Sequence, residues 1–211
     1  MAGRINHGKR MAAMAREIEF FWDIGSTNTY FALHLIRPMA ARHGATIMMR
    51  PFNLGYVFRH HNYVLMEEPA AKIANRKRDL ERWAERYGLP FRFPDSFPIK
   101  TSRTLRGSLV ARECGCEDAY LDAIFRRYWE QNDASIADLD GLASVGAEIG
   151  QDPETFVALI ESDRVKQALI AETDSALKRG VFGAPSFLVG DELFWGKDRM
   201  EFVEAALRNG A

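Results

Sequence analysis

Cysteine is almost missing from this chain. Only Cys114 and Cys116 occur among 211 residues, with one glycine between them. This Cys-x-Cys is not the Cys-x-x-Cys of a thiol oxidoreductase, and two ordinary thiols at a helix end are its plainer reading. Metal binding is also poorly provided for. The five histidines form no matching pair, and adjacent His60 and His61 diverge by about 100° on a helix. No metal is expected. An excess of charge is missing as well: 28 Lys plus Arg face 29 Asp plus Glu, so no basic footprint suggests nucleic acid. No apolar run approaches the ~20 residues that span a bilayer, so no membrane partner is expected. The start is basic (Arg4, Lys9, Arg10, Arg16) but lacks the apolar core of a secretory signal. Residues 1–16 therefore read as a solvated basic tail, and a cytoplasmic location is the corresponding expectation. No repeat or low-complexity segment is evident.

What remains is near the globular average, with 47% hydrophobic and 27% charged residues. The length suits one large domain, or a small domain with a sizeable insertion. Residues 17–23 read as a buried strand. The turn Asp23-Ile24-Gly25-Ser26 follows, then a helix with Ser26 at its N-cap and Gly44 as its terminal glycine. Residues 46–52 form a second strand ending at Pro51, and so short a crossover implies a parallel pair.

A mainly helical stretch follows. Lys72 to Tyr87 places Ile73, Leu80, Trp83, Ala84 and Tyr87 on one face, and the charges of the other face read as solvated surface. Residues 91–98 hold too many prolines for a regular helix. Helices are predicted at about 101–113, 117–131, 138–149, 153–161 and 163–179. Asp152-Pro153 supplies a cap and a proline at N1. Strands at 186–189 and 192–195 flank Gly190-Asp191, a two-residue hairpin signal. Asp198 to Glu201 has the capping-box form and opens a terminal helix.

The composite is βαβ, helices, then α-β-β-α. That is a thioredoxin-like α/β plan with a helical domain inserted after the second strand. Residues 17–58 and 164–211 form the thioredoxin-like part and 59–163 the insertion. A flavodoxin-like domain is the runner-up, but needs more parallel strands.

In such a plan the start of the first helix faces the loop before Pro185. The free N–H groups and macrodipole of a helix start favour an anion. Ser26 stands where a redox protein carries a reactive Cys, which suggests that a ligand brings the sulfur. Lowering a thiol pKa by ~2 needs only ~2.7 kcal/mol, which one hydroxyl donor plus a helix end can supply. The alternative is that Ser26 only caps its helix. A cis Ala184–Pro185 bond would turn the Ala184 backbone toward an extended peptide-like ligand. A trans proline opening a strand is the alternative.

Asp23 to Tyr30 resembles the Asp-x-x-Ser-Pro-x-x-Tyr start of the 2-hydroxychromene-2-carboxylate isomerases and kappa-class glutathione transferases. Gly180 to Phe187, with Phe194-Trp195-Gly196-Lys197-Asp198-Arg199, resembles their C-terminal signature. Residues 51–58 and 97–101 are similar to the isomerase branch. Together these matches run from about 17 to 208. The resemblance implies a DsbA-like fold, usually dimeric, that binds glutathione. By its pattern Ser26 contacts the glutathione sulfur, Ala184 (before Pro185) pairs with the cysteinyl backbone, and Lys197 with Asp198 holds the γ-glutamyl end. Asn62 and Lys72 fall at its other ligand-facing positions. Thr27 replaces the family proline, and Asn75 stands where tyrosine is common. The implied activity is glutathione-dependent cis–trans isomerisation of a small aromatic carboxylate, with Lys72 a candidate for the carboxylate or an ordinary surface lysine. A kappa-like transferase or peroxidase, or a glutathione-binding protein without turnover, are the alternatives.

Overall fold

The computed structural model describes residues 16–64 and 68–209. The expected N-terminal tail lies outside these residues except for Arg16, whose carbonyl accepts the Thr46 N–H at 2.8 Å.

β1 (Glu17–Trp22), α1 (Thr27–His43) and β2 (Thr46–Pro51) form the opening βαβ unit. Gly44 closes α1 in the left-handed conformation (φ 58°), which a residue without Cβ adopts at little cost. The helices α2 (Leu54–His60), α3 (Ala70–Tyr87), α4 (Ser102–Glu113), α5 (Glu117–Trp129), α6 (Leu139–Glu148) and α7 (Pro153–Glu161) come next. The chain finishes with α8 (Asp163–Lys178), β3 (Ser186–Val189), β4 (Glu192–Trp195) and α9 (Met200–Asn209).

The sheet runs β2-β1-β3-β4. β1 and β2 are parallel, while β3 is antiparallel to both β1 and β4. This is the thioredoxin plan, with helices inserted after β2. Four of the six residues of β1 are buried, Ile18 and Phe20 to Trp22, because both faces of the sheet are covered. Ile18, Phe20 and Trp22 enter the main core with α1, whereas Phe21 joins Phe52, Ala176, Val181 and Leu188 on the other side. Phe20 and Phe187 are cross-strand partners with rings stacked at 4.9 Å.

The structure departs from the sequence reading in three places. α2 and a 3-10 turn at Ala134–Ala137 are elements the periodicity did not resolve, each being too short to show a pattern. Asp198 does not cap the terminal helix. It lies in a 3-10 turn, Lys197–Arg199, that runs into α9, and its carboxylate accepts from Arg199 at 2.8 Å. Among the described residues no helix is long and apolar enough to cross a membrane, and no group of three His, Cys, Asp or Glu side chains is placed to hold a metal ion.

Candidate functional site

Topology brings three distant segments to one end of the sheet. β1 and β2 are parallel, so both leave the sheet there, at Trp22 and Pro51. β3 is antiparallel to β1, so it enters the sheet at that end, and Ser186 pairs with Phe21. The Ser26 turn, the α2 start and the Ala184 loop therefore converge.

Asp23 ties two of these segments to a fourth. Its carboxylate accepts the Gly25 N–H (2.8 Å) within the turn, the Leu54 N–H (2.8 Å) at the start of α2, and the Thr101 hydroxyl (3.1 Å) before α4. The group is only 1% exposed. Burial opposes its charge more than the three donors favour it, and its pKa is pushed up to about 6.

Ser26 has N-cap backbone geometry, but its side chain makes no cap hydrogen bond. The hydroxyl instead donates across the cleft to the Ala184 carbonyl at 2.9 Å. The Ala184–Pro185 bond is cis. The Thr27 and Asn28 amides, the first two of α1, make no hydrogen bond among the described residues, as expected for a helix start. Ser26 thus sits beside a small array of backbone donors and can redirect a hydroxyl proton by rotating one bond.

These groups open on a cavity of about 500 Å³. Its floor holds Gly25, Ser26, Thr27, Asn28, Gly183 and Ala184, and its walls are largely apolar, with Phe58, Phe93, Phe97, Phe182 and Trp195 among them. Phe182 and Trp195 are half exposed with ring centres 5.2 Å apart. His61, Arg76 and Lys77 also line it, and among the described residues no Asp or Glu does. The cavity is aromatic and electropositive, which suits a flat anion.

Of the residues singled out from sequence, the structure brings Ser26, Ala184 and the buried Pro185 together. Lys197 adjoins them from behind the wall. It is 9% exposed, donates to Asn28 Oδ1 at 3.0 Å and lies 4.6 Å from the centre of the Trp83 ring. Desolvation holds its pKa below the usual lysine value. Asp198, Asn62 and Lys72 do not line the cavity. Asn62 is exposed in the left-handed conformation (φ 52°) after α2. Lys72 points into solvent and pairs with Glu68 at 2.8 Å. Cys114 and Cys116 lie at the α4–α5 junction, also outside the cavity.

Sequence reasoning passed over Arg76 and Lys77 as part of a solvated face. Their spacing from Ile73 and Leu80 was the available signal: positions 73, 76, 77 and 80 share one helical face. The aromatic wall carried no such signal, because its rings come from segments far apart in the chain.

With this geometry described, comparison with known proteins becomes specific. The family model for the DSBA-like thioredoxin domain matches residues 17–208. A 2-hydroxychromene-2-carboxylate isomerase of Sphingobium xenophagum is 31% identical over 92% of this chain and 99% of its own length. Glutathione S-transferase kappa 2 of Caenorhabditis elegans is 26% identical over 88% of this chain and 89% of its own. A solved 2-hydroxychromene-2-carboxylate isomerase superposes with a TM-score of 0.80 at 28% identity, covering 92% of this chain and 95% of the other. Fold, span and identity agree, and the chain belongs to the DSBA-like thioredoxin family, within its 2-hydroxychromene-2-carboxylate isomerase branch.

Proposed function

We propose that the protein is an isomerase of the 2-hydroxychromene-2-carboxylate type that uses glutathione as its source of sulfur. The observation that carries this reading is the Ser26 hydroxyl at the start of α1, 2.9 Å from the Ala184 carbonyl, beside an aromatic cavity that no Asp or Glu lines among the described residues. The relatives named as isomerases supply the reaction class.

The residues present fit glutathione. Its cysteinyl N–H suits the Ala184 carbonyl, and its sulfur suits the Ser26 hydroxyl and the first amides of α1. Pairing the carbonyl with a ligand N–H would release the hydroxyl proton, so one exchange can satisfy both groups. Lys197, through Asn28, adjoins the same helix start. Asn62, Lys72 and Asp198 enter the proposal as contacts to the outer ends of the tripeptide. The chemistry supplied by glutathione when bound is a thiolate nucleophile that adds reversibly to a conjugated carbon, frees a double bond to rotate and leaves again. Ser26 and the helix start stabilise the anionic sulfur, and the aromatic walls hold the substrate ring and exclude water. The proposal includes a homodimer acting in the cytoplasm, with sedimentation of the purified protein as the check on the dimer.

The test is direct. Purified protein is mixed with 2-hydroxychromene-2-carboxylate, and its interconversion with the ring-opened isomer is followed by absorbance with and without glutathione. Turnover that requires glutathione is expected. Turnover indifferent to glutathione, or none with it, would overturn the reading. The kappa-class relative favours one second reading, transfer of glutathione to an electrophile at the same site. Conjugation of 1-chloro-2,4-dinitrobenzene without isomerisation would select it.

A further inference from the structure

α3 meets the cavity through Ile73, Arg76, Lys77 and Leu80, the i, i+3, i+4 and i+7 positions of one face. This cavity-lining stripe runs from half-buried Ile73 to buried Leu80, and its two middle positions are cations. They are not equivalent. Arg76 is paired with Glu68 at 2.6 Å. Lys77 forms no ion pair among the described residues, and its Nζ lies 4.9 Å from the centre of the Phe93 ring. Lys77 is exposed, and a cation over an aromatic face at an exposed site is held weakly. Among the described residues no Asp or Glu lines the cavity wall to neutralise it.

We infer that Lys77 is the group that receives the carboxylate of the aromatic substrate, so that the cavity selects flat anions over neutral rings of the same shape. The inference deepens the isomerase reading and rests on it for the identity of the substrate. It assigns to Lys77 the role considered from sequence for Lys72, which pairs with Glu68 and does not line the cavity. The apolar body of the ligand belongs against Phe93, Phe97 and the Phe182–Trp195 pair. An ammonium at the edge of that surface meets a carboxylate in the plane of the ring system.

The experiment separates charge from shape and needs no turnover. Binding of 2-naphthoate and of neutral 2-naphthamide to the full chain is measured by quenching of tryptophan fluorescence. The carboxylate should bind about tenfold more tightly, the scale of one charge-assisted contact in partly screened surroundings. Lys77→Met should bring the ratio close to one by weakening naphthoate alone, and Lys77→Arg should restore it. With 2-hydroxychromene-2-carboxylate as substrate, Lys77→Met should raise KM about tenfold with little change in kcat, the signature of lost uniform binding. An unchanged ratio in Lys77→Met, no carboxylate preference in the wild type, or loss of the preference through Lys72→Met instead would each overturn the inference. Glutathione-dependent turnover with a ratio indifferent to Lys77 removes the inference and leaves the isomerase reading intact. A ratio that depends on Lys77 in a protein without isomerase activity supports the anion site and overturns the reading.

Discussion

Ser26→Ala removes one hydroxyl, and the two roles open to that hydroxyl predict different results. Without ligand, the loss is a neutral hydrogen bond between the start of α1 and the Ala184 carbonyl. Such a bond contributes about 0.5–1.5 kcal/mol net. In a chain of this size about 1 kcal/mol lowers Tm by ~2–4 °C, so the variant should fold normally. With glutathione bound, the lost donor faces a charged acceptor and is worth about 1.5–3 kcal/mol. That corresponds to a rise of ~1–2 in the pKa of the bound thiol. At a pH below that pKa the rate should fall about 10- to 100-fold. The sign is fixed by the chemistry: removing a donor disfavours the thiolate, so activity must recover as pH rises. The assay is titration of the protein–glutathione complex by thiolate absorbance near 240 nm, alongside the pH–rate profile. A thiol midpoint and a pH–rate profile unchanged in Ser26→Ala, with only the small loss of Tm, would refute the reasoning. The hydroxyl would then be a tie between helix and loop and nothing more.

Other changes test other parts of the site. Asp23 has its pKa raised from 3.8 to about 6 by burial, so stability present below pH ~4 is lost as pH rises through about 6. The full difference is about 3 kcal/mol. Asp23→Asn does not titrate, so its urea stability should fall less between pH 4 and 7 than that of the wild type; equal slopes would deny that Asp23 is the buried acid responsible. Replacing both Cys114 and Cys116 with serine should preserve glutathione-dependent turnover, since neither lines the cavity, and should change stability by no more than ~1–2 kcal/mol. Loss of turnover in a folded, glutathione-binding double variant would return sulfur chemistry to the protein itself. At Gly183 an added Cβ would lie 2.8 Å from Trp195 Nε1. Trp195 is half exposed and can swing away, so Gly183→Ala should cost under ~1 kcal/mol of stability while changing tryptophan emission and weakening 2-naphthoate binding. Unaltered emission and binding would mean that the indole does not guard the cavity mouth.

Local rules made much of the fold legible in the sequence. Gly44 and Gly88 end helices in the left-handed conformation, Asp152 caps α7 through the Thr155 N–H, and Gly190-Asp191 joins β3 to β4. Each of these signals involves residues within a few positions of one another. The site was legible at its floor for a related reason: the strand–turn–helix around Ser26 and the Pro185 loop are both local motifs. Its electrostatics were less legible. Asp23 stood in the motif, but its partners are Leu54 and Thr101, and no spacing rule connects positions 23, 54 and 101. Asp198 read as a cap because its sequence has the form, yet the 3-10 turn carries the chain past it into α9. Pro38, inside α1, did not end the helix, since burial of Tyr30, Phe31, Leu33, Ile36 and Met39 outweighs a local penalty. Arg76 and Lys77 could have been found by asking why charges share the helical face of Ile73 and Leu80.

The cavity draws its floor and its selective wall from separate stretches of chain. Ser26 and Ala184 belong to loops at the end of the sheet, whereas Ile73, Arg76, Lys77 and Leu80 occupy a single face of α3. Leu80 is held in the core, but Ile73, Arg76 and Lys77 can be rewritten around it without disturbing the strand ends that set the distance from Ser26 to Ala184. α3 behaves as an exchangeable cassette: a neutral face would admit uncharged rings, an acidic one would admit cations, and the same floor would serve each.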